Sequence, residues 1–409
     1  MPLETIEGEI AAISMHERLR IIVGGFLGLM PLGGVTWDYV QYPVALAALG
    51  HDVYYIEDTG LWPVYQNNAG DDCSTNVAYL AAVMDAFGLS DRWAYRDEVS
   101  GQWFGLTDAV VRELCRTADM LINVSCATFL RDEYRAIPVR ALVDSDPMFT
   151  QVQYATYAAF AKRQSGMREL VEGHTHHFTF GENVGAADCR IPTCGFSWRT
   201  TRQPICLSYW PMTVLPKTPN AAYTTVMNWT VEAPLVYDGE TWGQKDVEFR
   251  RCFALPQAVP TTCLLAIAVG QTTGTPFPID AARRQGWRVL DPAVSAPDWR
   301  AYRTFIQESR GEFSVAKETY VKARTGWFSC RSACYLASGR PVIAQDTGWS
   351  RYLPTGEGLF AFDDQRSAAE ALDRVTAEPD LHARAARAIA EEYFASDRVL
   401  SKMLTHLGA

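Results

Sequence analysis

The stretch Thr325–Gly348, TGWFSCRSACYLASGRPVIAQDTG, decides how the chain reads. Ser329 to Ala337 is a helix-sized segment closed by Ser338-Gly339, glycine being the residue that most easily takes the left-handed turn ending a helix. After Pro341, the apolar Val342 to Ala344 has the length of a buried strand, and Gln345 to Gly348 is a polar turn. Loop, helix, strand and loop is the grammar of a parallel α/β sheet, where ligands sit at strand ends and helix N-termini. The turn carrying Gly326, Trp327, Ser329 and Ser332 offers backbone N–H groups to an anion, with the fork of Arg331 beside it. Asp346, Thr347 and Gly348 fall at the same edge. An ordinary βα unit packing a core is the alternative, in which Arg331 pairs with an acid.

Working outward, the same alternation recurs. Downstream come the apolar Gly358–Phe362, a helix Ser367–Thr376, and an amphipathic helix Leu381–Leu400 long enough to pass between domains. Upstream lie strand Glu312–Val315 with Lys317 just beyond it, helix Asp298–Ser309, strand Trp287–Leu290, helix Pro278–Gln285 and the apolar Cys263–Val269. This second series begins at Ala222–Thr230, after a proline-rich passage, Pro192–Pro219, that holds one short strand at Ile205–Tyr209. The passage marks the connection between two domains.

The first half repeats the pattern. Strand Arg18–Phe26 runs into Gly24, Gly25, Gly28, Gly33 and Gly34, then a helix Trp37–Leu49 ends at Gly50, and His51–Glu57 is the next strand. The loop fits neither GxGxxG nor a P-loop. Gly25, Gly28, Gly33, Gly34 and Trp37 are read as a surface that lets a substrate approach the backbone, with a tight turn as the alternative. Helices are expected at Asn76–Phe87 and Thr107–Arg116, and strands at Asp119–Val124 and Val139–Val143. A helix-like segment Val152–Ser165 and a strand Phe178–Glu182 follow. Trp62, Tyr65, Trp93, Tyr95, Trp103 and Phe104 are core aromatics or a stacking wall for a planar or sugar ligand.

Asp144 and Asp146 stand at the carboxyl edge of a strand, the usual place for chemistry in such a sheet, and Glu182 closes another strand. Any of the three could act as a base; helix capping or hydrogen bonding within a turn competes for the first two. His174, His176 and His177 lack a second ligand cluster at usable spacing, so no metal is assigned.

Composition bounds the rest. The 409 residues suit two domains, and a net charge of −10 argues against a nucleic-acid backbone as partner. Ten cysteines without regular spacing indicate a reducing, cytoplasmic setting. No apolar run reaches the roughly twenty residues of a membrane span. Nothing signals an oligomer.

Two segments together resemble bacterial GT-B glycosyltransferases of the family 1 type. RIIVGGFLGLMPLGGVTWDYVQYPVALAALGHDVYYIED resembles their acceptor-domain opening, and GWFSCRSACYLASGRPVIAQDTG their donor-domain helix and strand. The resemblance implies two Rossmann-like domains facing across a cleft. Residues 1–205 would bind the acceptor, 206–380 the nucleotide sugar, and 381–409 would form a helix packing back on the first domain. It implies a hexosyltransferase-like enzyme moving sugar from a nucleotide diphosphate donor, of the UDP type, to a hydroxyl on a small-molecule acceptor. No metal or cofactor is needed if Arg331, Lys317 and helix dipoles meet the diphosphate. In many retaining members two glutamates stand where this chain has Gly326 and Cys334, and the histidine of many inverting members is missing between Phe26 and Trp37. Stereochemistry is therefore open. A nucleotide-sugar epimerase and a non-catalytic nucleotide- or sugar-binding protein are the alternatives.

Overall fold

The computed structural model describes residues 18–62, 72–156, 166–216, 218, 220–231, 233–270 and 275–408. Tyr65, the end of the segment Val152–Ser165, Pro219 and residues 1–17 lie outside the described residues.

The first half contributes β1 (Arg20–Gly24), β2 (Asp52–Glu57), β3 (Trp93–Arg96), β4 (Trp103–Gly105), β5 (Met120–Val124), β6 (Val139–Asp144), β7 (His176–Thr179) and β8 (Trp198–Thr200). These form one eight-stranded sheet in the order β4-β3-β2-β1-β5-β6-β7-β8, parallel throughout except for the β3–β4 pair. The second half adds a hairpin of β10 (Leu235–Tyr237) and β11 (Glu240–Trp242) after β9 (Tyr223–Met227). It continues with β12 (Leu265–Val269), β13 (Arg288–Leu290), β14 (Gly311–Ser314), β15 (Val342–Gln345) and β16 (Leu359–Phe362). Apart from the hairpin these make a six-stranded parallel sheet, β13-β12-β9-β14-β15-β16. Both sheets are doubly wound, with chain order reversing between β1 and β5 and again between β9 and β14.

The apolar runs dictate this. Ile21, Ile22 and Val23 are fully buried, as are Val342 and Ile343, because a central parallel strand is covered on both faces and needs apolar residues at successive positions. The helix Cys330–Ala337 is buried at every position except Arg331 and ends at Gly339, whose φ of +68° fits the expected stop.

The departures are local. The expected strand Phe178–Glu182 ends at Thr179, and Ile205–Tyr209 is no strand beyond a single bridge from Ile205 to Ala395. Leu381–Leu400 is not one helix. Helix Pro379–Tyr393 packs on Cys330–Ala337, and helix Ser396–Leu407 packs on Gln41–Ala48 of the first half. The break lies where Ile205 intervenes: its N–H donates to Phe394 O at 2.7 Å, and its carbonyl accepts from Ser396 N at 3.0 Å. Trp37–Leu49 divides into helices Gly33–Tyr39 and Gln41–Ala48.

Candidate active site

The carboxyl edges of the two sheets face each other. Beyond β6, Asp146 Oδ1 accepts from Lys317 Nζ at 2.8 Å and from the Tyr320 hydroxyl, both beyond β14. Next to it, Ser145 O accepts from the Trp327 indole N–H at 3.0 Å. Trp327 stacks on Tyr320 with centroids 4.5 Å apart, and the Lys317 ammonium lies 4.3 Å from the centre of the Phe149 ring. The sheets therefore meet at the ends where an open α/β sheet binds ligands.

A narrow depression on the second sheet's edge is lined by Ser314, Val315, Ala316, Trp327, Ser329, Ser332 and Gln345. It opens at the N-terminus of helix Cys330–Ala337, which no side chain caps, so the positive end of that helix points into it. Trp327, Ser329 and Ser332 are thus brought together.

Other expected donor contacts hold structure instead. Gly326 N donates to Thr347 O at 2.8 Å, and the Thr347 hydroxyl donates to Trp327 O at 2.7 Å. Asp346 accepts from Gly348 N at 2.9 Å and from Ser350, closing its own turn. These residues form a seam with the first half: Asn183 Nδ2 donates to Arg324 O at 2.8 Å, and Asn183 N to Thr325 O at 3.1 Å. A Cβ on Gly326, whose φ is +76°, would stand 2.5 Å from Asn183 N. Glycine serves the closeness of two domains there.

Arg331, expected at the diphosphate, turns to Glu312. Its Nε lies 2.5 Å from a carboxylate that is 0% exposed, and its other nitrogens bond Val226 O at 2.8 Å and Ser314 Oγ at 2.6 Å. The pair cancels the charge that a ligand would need, leaving only the two remaining N–H groups of the fork.

Two of the three expected bases are likewise spent. Asp144 is fully buried and accepts from Thr150 (2.7 Å), Gln151 (2.7 Å) and Thr179 (2.8 Å); burial pushes its carboxyl up to about 6. It fixes the loop carrying Asp146 and touches no open space. Glu182 is forked onto Arg202 at 2.5 and 2.6 Å with 9% of its side chain exposed. Asp146 remains at the cleft with half its side chain exposed. Burial would raise its carboxyl, but Lys317 and Tyr320 outweigh this and hold it below the usual range.

On the first sheet's edge, the glycine loop is turned inward. Gly28 N and Leu29 N donate to the buried Glu57 at 2.8 and 2.5 Å, together with the Tyr55 hydroxyl at 2.8 Å; burial lifts Glu57 to about 7. Gly25 packs on the Tyr39 ring, and Gly33 and Gly34 on Tyr302 of the second half; a Cβ on Gly33 would lie 2.5 Å from Asp298 O. Trp37 is 1% exposed, its indole N–H donates to Trp299 O at 2.9 Å, and its ring lies 4.6 Å from Trp210. Gly33, Gly34 and Trp37 thus join the two halves, while Gly25 and Gly28 pack within the first. Trp93 and Tyr95 are core, whereas Trp62 is 61% exposed. His174 and His177 are bonded separately to Leu170 O and Val171 O.

Two groups were missed. Lys245 makes no ion pair among the described residues; burial, then Arg331 and Lys317, drive its ammonium well below the usual lysine range. Asp38, on helix Gly33–Tyr39, is exposed to solvent yet deep among protein atoms, and burial lifts its carboxyl to about 6. In sequence, each is one more charge near a helix start, and nothing nearby signals the distant groups it meets. At the end of β5, Ser125 and Cys126 hold φ of +59° and +55°, a strained pair in which Cys126 is buried in the first half's core.

No protein-family model matches the chain, and no curated protein matches it in sequence. Solved structures do match. An alpha-glucosyltransferase in complex with UDP and a 13-mer DNA aligns at 11% identity and TM-score 0.56, over 96% of this chain and 100% of its own. AviGT4, a glycosyltransferase involved in avilamycin A biosynthesis, aligns at 9% identity and TM-score 0.53, covering 95% and 97%. A glycosyltransferase from Rickettsia africae aligns at 10% identity and TM-score 0.50, covering 96% and 98%. The chain has the GT-B fold. In GT-B terms the Ser329–Ser332 turn and both lysines stand on the edge of the second sheet, and Asp38 on that of the first. No described helix is long and apolar enough to cross a membrane.

Proposed function

We propose that this GT-B chain transfers a sugar from a nucleoside diphosphate sugar, of the UDP type, to a hydroxyl on a small-molecule acceptor, without a metal. The observation that carries the reading is Lys245, which has no carboxylate partner among the described residues and feels the charges of Lys317 and of Arg331 in the first turn of helix Cys330–Ala337, a helix with an uncapped N-terminus. A group whose own surroundings disfavour its charge gains most from an arriving dianion. Two ammonium groups and a helix N-terminus supply, at one edge, the positive field that a departing diphosphate requires. The GT-B neighbours bear the names of glycosyltransferases, one with UDP bound, which supports the same reading. That neighbour's DNA is not carried over, because the net charge of −10 repels a phosphate backbone.

The division of labour proposed is acceptor on residues 1–205 and donor on 206–380. Release of nucleoside diphosphate from UDP-glucose, UDP-galactose, UDP-N-acetylglucosamine and GDP-mannose, followed by mass spectrometry with an acceptor panel, tests the reading. An epimer formed from donor alone would favour an epimerase; nucleotide binding without turnover would favour a binding protein.

A further inference from the structure

We propose that Asp38 is the general base of this transfer, and that the transfer therefore inverts the configuration at the sugar's anomeric carbon. The inference rests on the glycosyl-transfer reading and deepens it by assigning the group on the acceptor side.

The carboxylates of the cleft narrow to one. Asp144 is sealed by three hydrogen bonds, Glu182 is forked onto Arg202, Glu57 is filled by the backbone of the glycine loop, and Asp146 is held by Lys317 and Tyr320. Asp38 alone among these is exposed with no Lys or Arg paired to it among the described residues. The helix that carries it packs on the helix whose N-terminus opens the donor depression: the thiol of Cys330, first residue of that helix, donates to the carbonyl of Trp37, next to Asp38 in the chain, at 3.8 Å. A sugar carried on a diphosphate at that terminus brings its anomeric carbon to the side where Asp38 stands.

The groups around Asp38 come from every packed element. Tyr39 and Tyr42 lie on its own side, Tyr302 on the helix Trp299–Gln307, Cys330, Arg331 and Cys334 on the helix Cys330–Ala337, and Asp146 beyond β6. Burial first, then the negative charge of Asp146, raise its carboxyl; the Cys330 thiol and Arg331 oppose this, leaving about 6. Such a carboxylate is ionised at neutral pH and basic enough to accept a proton as a hydroxyl becomes nucleophilic. In the step, the acceptor oxygen bonds to the anomeric carbon as its proton passes to Asp38. The bond from that carbon to the diphosphate oxygen breaks, and the nucleoside diphosphate leaves with the electron pair. One displacement from the face opposite the leaving group inverts the centre.

The test uses the full chain with the four donors above, and 4-nitrophenol or 4-nitrobenzyl alcohol as acceptor, water serving as a third. Wild type is expected to give product of inverted configuration by proton NMR. Asp38→Asn is expected to lose about 10²–10⁴-fold with the alcohol. With the phenol, already ionised at pH 8, it should keep activity within about tenfold, and UDP affinity should stay within twofold. The acid limb of the wild-type pH–rate profile, near 6, should vanish in the variant. Retained configuration, or Asp38→Asn turning over the alcohol as wild type does, overturns the assignment and leaves glycosyl transfer standing. An equal loss with both acceptors makes Asp38 a structural residue. No turnover of any donor by wild type, with water included as acceptor, removes the transfer reading and Asp38's role with it.

Discussion

Lys317 and Asp146, 171 residues apart, meet at 2.8 Å across the crevice between two sheets, one group from each side. Their side chains are 19% and 50% exposed, so the pair contributes only about 0.2–1 kcal/mol to stability. Its consequence is positional, holding an ammonium over the crevice in the absence of ligand. Lys317→Ala should change the unfolding free energy by less than about 1 kcal/mol. The same variant should weaken UDP binding about tenfold, or about 1.4 kcal/mol. Asp146→Asn, which frees the lysine, should leave UDP affinity equal or better. Denaturant melts and calorimetric titration check all three.

Lys245 gives a proton-linked prediction. Its folded pKa is depressed by burial and by Arg331 and Lys317, and a diphosphate beside it pushes that pKa back up, so binding is linked to proton uptake. UDP titrations in buffers of different ionisation enthalpy should show proton uptake that Lys245→Met abolishes. Proton release, or uptake unchanged in the variant, would contradict this.

The Arg331–Glu312 pair predicts a stability effect. Glu312 is 0% exposed, and one of its oxygens has no hydrogen-bond partner among the described residues even with Arg331 present. Arg331→Ala strands that carboxylate and should cost about 3–5 kcal/mol. Replacing both residues by apolar ones should restore much of the loss. Chemical denaturation of the single and double variants separates the outcomes.

Asp144 predicts a pH dependence. Its carboxyl stands at about 6 in the fold against 3.8 unfolded, so the folded state binds more protons between those values. The stability this contributes is full below about 4 and is lost as pH rises through about 6. Relative to Asp144→Asn, wild type should lose up to about 3 kcal/mol between pH 4 and 7. Melts of both proteins across that range check the slope.

The sheets were legible because parallel strands advertise themselves: Arg20–Gly24, Met120–Val124, Leu265–Val269 and Val342–Gln345 are runs of Ile, Val, Leu and Ala between turn signals. The antiparallel pair Trp93–Arg96 and Trp103–Gly105 was not, since short aromatic strands share no such pattern. Nor was the break after Tyr393, which Ile205 imposes from almost two hundred residues away. The site suffered most from this kind of distance. Nothing local shows that Arg331 is matched by Glu312, Glu182 by Arg202, or the N–H groups of Gly28 and Leu29 by Glu57. Asp38 and Lys245 were hidden for the converse reason: each looks like an ordinary solvated charge until residues distant in sequence are brought beside it.

Titration of UDP into the full chain tests the central claim most directly, that a nucleoside diphosphate sits on the second sheet's edge between Lys245, Lys317 and the N-terminus of helix Cys330–Ala337. The account predicts saturable one-to-one binding that Lys245→Met with Lys317→Ala abolishes and Asp38→Asn leaves intact. Absence of binding for UDP, GDP, ADP and dTDP alike, or binding indifferent to both lysines, would contradict it.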